Sequence, residues 1–305
     1  MSTAPILVTG AAGRVGGIGR SVVELLRKKD IPVRALVRQD DDRAASLRSL
    51  GAEVVVADLT KPDEVARALQ GCRRVYFSLS VSPEYLEATA IMAAAAKEQG
   101  GIELIVNMSQ MTISSMSLTQ MTGSPQHQLH WLSEQILNWS GVPVVQLRPT
   151  VFQQNPLFWD MPAMSLRAGG IIRLPFGKGR TSPVAAIDVA EVSAAILLDP
   201  PRFVGRVVEL TGPQSVDMDD IAAEYSAALG REVRYQDVPL PAWEAQFQSF
   251  GLPDHVRRHI VTMAKLHALG RYDRLTNTVE EILGRPATSF GETLRANVDK
   301  FQNEP

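Results

Sequence analysis

Ile6-Leu7-Val8-Thr9-Gly10-Ala11-Ala12-Gly13-Arg14-Val15-Gly16 is the stretch that decides the fold. Its three apolar residues form a short buried strand. The glycines at 10, 13 and 16 turn the chain sharply, and the apolar run from Val22 to Leu26 continues as a helix. Such a turn needs glycine because its dihedrals are closed to other residues and because a side chain would bar a pyrophosphate from the backbone. The helix beyond offers free N–H groups and a partial positive charge to that anion. The strand before, the helix after and a basic residue at the end of the next strand give the glycine spacing its specificity.

Outward from this stretch, strands and helices alternate. Short apolar runs lie at 6–8, 33–37, 53–57, 74–79, 104–107 and 144–147, with helical stretches near 20–29, 42–50, 62–70, 83–99 and 125–140 between them. Buried strands spaced by helices imply a parallel sheet covered on both faces. The expected fold is α/β, a Rossmann-type doubly wound parallel sheet with a smaller, mainly helical C-terminal substrate lobe. Residues 1–150 form the dinucleotide-binding domain. Residues 151–305 form the lobe, packed over the sheet's C-terminal edge and including strands that return to the main sheet. Within the lobe, Gly169-Gly170, Pro175-Phe176-Gly177 and Thr181-Ser182-Pro183 are loop chemistry, Asp188 caps a helix through about Leu198, and 207–211 is a strand. Asp217 opens a helix ending near Gly230, 233–235 is a short strand, and 241–301 is mainly helical.

Composition sets bounds. With 305 residues, 45% of them hydrophobic, the chain can bury a large core. A net charge of −2 leaves no electrostatic footprint for nucleic acid. The single cysteine, Cys72, excludes a disulfide framework and a cysteine-based zinc site. No apolar stretch is long enough to span a bilayer, so no membrane partner is expected. Met1-Ser2-Thr3-Ala4 runs straight into the first strand, leaving no signal peptide, and the expected location is cytoplasmic.

The second strand ends at Val37-Arg38-Gln39, where an NAD site would carry an acid for the ribose hydroxyls. Arg38 offers a fork suited to a 2′-phosphate, and Arg14 can join it, so the expected cofactor is NADP(H). Thr9, Gly10, Gly13, Arg14, Val15, Gly16 and Ser78 are the remaining candidates around the phosphates, with Asp58 and Leu59 after the third strand. Asp58 lies against the adenine or serves as a helix cap; both readings stand.

These segments carry a resemblance. Val8–Gly16, Val33–Arg38 and Val56-Ala57-Asp58-Leu59 resemble the NmrA-like family of atypical short-chain dehydrogenases/reductases, as do Leu147-Arg148-Pro149, Pro183-Val184 with Asp188-Val189-Ala190, and Gly284-Arg285-Pro286. The resemblance spans nearly the whole chain. It implies nucleotide binding, and either reduction of quinones, azo dyes or triphenylmethane dyes, or redox sensing without turnover. Two departures matter. Gly17-Ile18-Gly19-Arg20-Ser21 precedes Val22, an apparent insertion of three residues. The loop either extends over the pyrophosphate with Arg20 as a phosphate ligand or forms a longer surface turn. Typical short-chain dehydrogenases also carry Tyr and, four residues later, Lys. Gln126 and His130 stand at those positions, while Ser109 matches the family's serine.

The acid–base candidates are therefore Ser109, His130 and His127, the two histidines three apart on one helix. An imidazole titrating near neutrality protonates a reduced acceptor; the alternative is polar histidines at a helix surface. His255 and His259 have the spacing of a metal pair, but Arg257 and Arg258 set cations beside it, so no metal is expected. Met108, Met111, Met116 and Met121 form either an adaptable wall for a flat substrate or ordinary core, with Phe152, Phe158 and Trp159 as the facing wall near Asn155. The expected function is NADPH-dependent reduction of an apolar or aromatic conjugated acceptor, a small molecule. The alternative is an NADP(H)-binding sensor acting through a protein partner.

Overall fold

A computed structural model describes residues 4–13, 15–167, 169–246 and 251–302. Seven parallel strands form one sheet: β1 (Ile6–Val8), β2 (Val33–Val37), β3 (Glu53–Val56), β4 (Arg74–Phe77), β5 (Leu104–Met108), β6 (Val144–Pro149) and β8 (Val207–Leu210). They stand in the order β3-β2-β1-β4-β5-β6-β8, with Leu7 paired to Arg34 on one side and Val75 on the other. The order reverses at β1, which opens a crevice at the strand C-termini beside the glycine turn.

Alternation along the strands explains why both sheet faces are buried. Ile6, Val8, Val33, Ala35 and Val37 point to one core, whereas Leu7, Leu36, Val75 and Phe77 point to the other. Helices α1 (Ile18–Arg27), α2 (Asp42–Ser49) and α7 (Ala186–Leu198) cover the first face; α3 (Pro62–Leu69), α4 (Tyr85–Gln99) and α5 (Pro125–Trp139) cover the second. Local chemistry starts several of these helices. Asp41 accepts from the N–H groups of Arg43 and Ala44 at the head of α2, and Ser124 with Pro125 opens α5.

A third core lies outside the sheet. It is built by α6 (Asp160–Arg167), α9 (Met218–Leu229), α10 (Leu240–Gln246), α11 (Asp254–Ala268), α13 (Phe290–Arg295) and α14 (Asp299–Gln302), with a two-stranded parallel sheet of β7 (Ile171–Leu174) and β9 (Arg234–Asp237). The short helices α8 (Pro200–Phe203) and α12 (Thr278–Leu283) remain with the main sheet. Strand β7 lies between the loop residues Gly169-Gly170 and Pro175-Phe176-Gly177; it pairs with β9, Ile171 opposite Arg234, and buries Ile172 and Leu174 in this third core. β9 is one residue later than expected. As expected, Asp217 caps α9 with a capping box and Gly230 ends it at φ 63°.

Asp188 does not cap its helix. Ala185 holds the N-cap position with no side-chain bond, and Asp188 lies fully buried in the first turn. Its carboxylate accepts from the Thr288 backbone N–H (2.7 Å), the Thr288 hydroxyl (2.8 Å) and the Arg285 guanidinium (2.8 Å), and Glu191 also pairs with Arg285. The separated segments around Asp188 and Gly284-Arg285-Pro286 are thus two halves of one clamp, which ties the C-terminal region to α7. Replacing Arg285 by Met leaves a buried carboxylate without its cation and should lower unfolding stability by about 1–3 kcal/mol. Urea titration measures this; an unchanged midpoint would contradict the clamp.

Candidate functional site

A cleft of about 1580 Å³ runs along the C-terminal ends of β1, β2, β4, β5 and β6 and under α11. Pockets for one drug-sized ligand are about 300–1,000 Å³, so this one has room for a dinucleotide and a second molecule.

Its inner end is the glycine turn. Thr9 donates its hydroxyl to the Ser78 carbonyl (2.9 Å) and accepts from the Ser78 N–H (2.8 Å), stapling β1 to β4. Thr9 is fully buried, so its role is to hold the turn. Gly10 has φ 64°, and a Cβ there would lie 2.8 Å from the Ser78 carbonyl oxygen. Gly13 donates to the Gly10 carbonyl (2.9 Å) and, with Gly10, Val15, Ile18 and Ser78, lines the cleft. Helix α1 starts at Ile18 behind Gly17, with no side-chain cap, leaving its first N–H groups to an anion.

The inserted residues are resolved by this geometry. Ile18 to Ser21 are helical, so the extra length lies before the helix. The glycine that permits close helix–strand packing is Gly19: a Cβ there would lie 2.5 Å from the Gly10 carbonyl oxygen. Gly16 instead faces Ala186 of α7 and does not line the cleft. Arg20 is exposed on the outer side of α1 and does not line it either, because the helix begins earlier than the sequence pattern implied. Arg14 lies outside the described residues.

Beyond the turn, Arg38, Gln39, Asp58, Leu59 and Thr60 form the cleft's polar end. Arg38 has no hydrogen bond or ion pair among the described residues. Asp58 accepts from the Thr60 backbone N–H (2.9 Å) and hydroxyl (2.8 Å), which holds its carboxyl below the usual range, with Arg38 nearby reinforcing this. Lys61, not Asp58, is the N-cap of α3. Sequence reasoning missed Arg43, which also lines the cleft. It donates to the Ala12 carbonyl (3.0 Å) and is held by Asp41. Its position five residues after Arg38 was the available signal.

The middle of the cleft holds Ser109, Gln126 and His130. Among the described residues, the Ser109 hydroxyl, Gln126 Nε2 and His130 Nδ1 are buried without a hydrogen-bond partner. His130 packs against the Tyr85 ring at 4.1 Å, tilted by 48°, and burial pushes its pKa down to about 3. His127 does not line the cleft. It lies buried, bonded through Nδ1 to the Thr122 hydroxyl (2.8 Å) and packed edge-on to His259 at 5.0 Å. His259 lines the cleft from α11 and is anchored by Ser124 (2.9 Å). Burial lowers the pKa of all three below the ordinary imidazole value, which argues against His130 or His127 as the neutral-range acid that the sequence suggested. Among the described residues, no cluster of His, Cys, Asp and Glu could hold a metal.

The outer end is apolar, but not with the expected residues. Met111 packs in the interior, and of the 108–121 methionines only Met108 lines the cleft. Met161 and Met164 of α6 and Met263 of α11 supply the methionine wall instead. Phe152 and Asn155 line it as expected. Phe158 is buried against Phe176 and His267, and Trp159 packs on Phe301, so neither faces the cleft.

The burial of the histidines has a direct test. In protein labelled with ¹³C-histidine, the His127, His130 and His259 ring signals should stay neutral from pH 8 to 5.5, since burial lowers all three below the ordinary value of 6.5. A midpoint near 6.5 for His130 would contradict this.

Comparison with known proteins places this architecture. The chain is 31% identical over 301 residues to an NAD(P)H azoreductase of Xenophilus azovorans, covering 97% of this chain and 99% of that one. Its fold is similar to that of an NADPH-dependent quinone oxidoreductase from Escherichia coli complexed with NADPH, with a TM-score of 0.83 at 24% identity over 96% and 99% of the two chains. It is also similar to NmrA, a negative transcriptional regulator in complex with NAD, with a TM-score of 0.79 at 17% identity over 98% and 97%. The NmrA-like family profile matches residues 2–291, and the chain belongs to that family.

Proposed function

We propose that the protein is an NADPH-dependent reductase of an apolar, conjugated small-molecule acceptor. The observation that carries this reading is a single cleft with two chemically distinct ends. One end is glycine-lined and cationic, and the other is walled by Phe152, Met161, Met164, Leu252, Ile260 and Met263. A sensor that only bound a nucleotide would need no such outer wall. The names of the azoreductase and quinone oxidoreductase relatives support the same reading.

The residues fit a dinucleotide. Gly10, Gly13, Val15 and Ile18 would cradle the pyrophosphate at the head of α1, where side chains would fill the space. Arg38 and Arg43 would take the 2′-phosphate, and Asp58 and Leu59 the adenosine. The bound cofactor supplies a hydride. The chain's own contribution is to place the acceptor against the reacting carbon, exclude water with the methionine wall, and offer hydrogen-bond donors from the middle of the cleft.

Measuring NADPH oxidation with 1,4-naphthoquinone, methyl red and a triphenylmethane dye tests the reading. Tight NADPH binding with no turnover of any acceptor would favour the sensor. Calorimetry tests the cofactor choice. Wild-type protein should bind NADPH more tightly than NADH, and Arg38→Ala should weaken NADPH alone, by about 1.5–3 kcal/mol for one charge-assisted contact. Equal affinities in the wild type would overturn the NADPH assignment.

A further inference from the structure

Gln126 stands where a dehydrogenase of this general kind has its tyrosine, and it cannot serve as a proton donor. Its geometry gives it another task. The Ser82 backbone N–H donates to Gln126 Oε1 at 3.0 Å. Because an N–H can only donate, this bond fixes which way the amide faces. Nε2, with its two protons, is the end left over, and no group among the described residues receives them. The side chain is 3% exposed and lies in the cleft wall. An unpaired buried amide carries its full desolvation cost, so a fold that holds one in a ligand cleft gains when a ligand accepts from it.

Ser109 presents a second group of the same kind. It follows β5, lines the same cleft, is 4% exposed, and its hydroxyl has no partner among the described residues. The two are linked through one contact chain. Tyr85 donates to the carbonyl of Met108, the neighbour of Ser109 (3.1 Å), and its ring packs at a tilt against His130, one helical turn beyond Gln126.

We propose that Gln126 Nε2 and the Ser109 hydroxyl are the donor pair that holds a carbonyl oxygen of the acceptor, so that the site favours a carbonyl acceptor over an azo one. A carbonyl oxygen has two lone pairs and accepts two donors together, whereas an azo nitrogen presents one. The proposal rests on the reductase reading above and deepens it. A quinone that has gained two electrons and one proton, as the single hydride the reduced nicotinamide gives up on being oxidised, is a hydroquinone monoanion with its charge on oxygen. Its second proton comes from water. Two donors preset around that oxygen stabilise the charge as it forms, and no side chain has to give up a proton.

The test is Gln126→Glu. The new carboxyl retains the acceptor for the Ser82 N–H in either protonation state. It is a donor toward the cleft only when protonated, and burial raises its pKa. With 1,4-naphthoquinone, the variant's kcat/KM should fall about 100-fold at pH 8, the usual effect of losing one such donor. It should recover at least tenfold (an order-of-magnitude threshold on the same scale) at pH 5.5, while the wild type stays flat. A structural role alone would give no such recovery, and unchanged activity at pH 8 would overturn the proposal. So would methyl red turning over as fast as naphthoquinone in the wild type. A second readout needs no turnover. With NADP⁺ present, the wild type should bind the 4-nitrophenolate anion at pH 8, and Gln126→Glu, which sets a second negative charge against it there, should abolish that binding. If the wild type reduces nothing yet shows that difference, the reductase reading fails and the donor pair stands. If nitrophenol binding is absent or indifferent to the substitution, the donor pair is overturned.

Discussion

The close approach of Gly19 to the Gly10 carbonyl is the constraint on which the rest of the site depends. A methyl group at residue 19 would stand 2.5 Å from that oxygen, well inside contact distance. Only a bare backbone lets the first turn of α1 sit directly against the end of β1. The helix N-terminus then points at the cleft, and the turn at 10–13 folds onto its own carbonyl. The Thr9–Ser78 staple holds the other side of the same turn. Move α1 outward and the cradle, the helix dipole and the packing of α1 on α7 change together.

From that anchor the cleft grades from charged to apolar. Arg38 and Arg43 stand at the β2 end, and Met161, Met164 and Met263 come from α6 and α11 at the other, with Arg173 of β7 and Met108 of β5 also in the lining. Between them lie donors without partners among the described residues and histidines whose pKa burial lowers. Such a middle section stabilises negative charge on a ligand without titrating at neutral pH. Gln126 and His130 stand in this section, at the positions where short-chain dehydrogenases carry Tyr and Lys.

Much of this was legible in the sequence, because strands and helices leave local signatures. All six strands of the first half were read within two residues at each end, and Arg38 was read from its place after β2. What was misread depends on distant contacts. Gly16 matched the expected spacing, but the inserted residues pass the packing role to Gly19, which only the helix start reveals. Asp188 has the composition of a cap, yet its partners are Arg285 and Thr288, about a hundred residues away. The methionine wall was sought along one loop and is assembled from two helices whose docking no local pattern records. The imidazoles look like neutral-range acids until burial is known. The role assigned to Gln126 follows from one backbone N–H at Ser82, which the sequence does not show.

The central claim is that nucleotide binding requires the bare backbone at residue 19. Calorimetric titration of NADPH into Gly19→Ala, with the fold checked by circular dichroism and thermal unfolding, tests this most directly. The account predicts a folded protein whose NADPH affinity falls by at least about tenfold, one 1.4 kcal/mol step. A folded variant that binds NADPH as tightly as the wild type would contradict it.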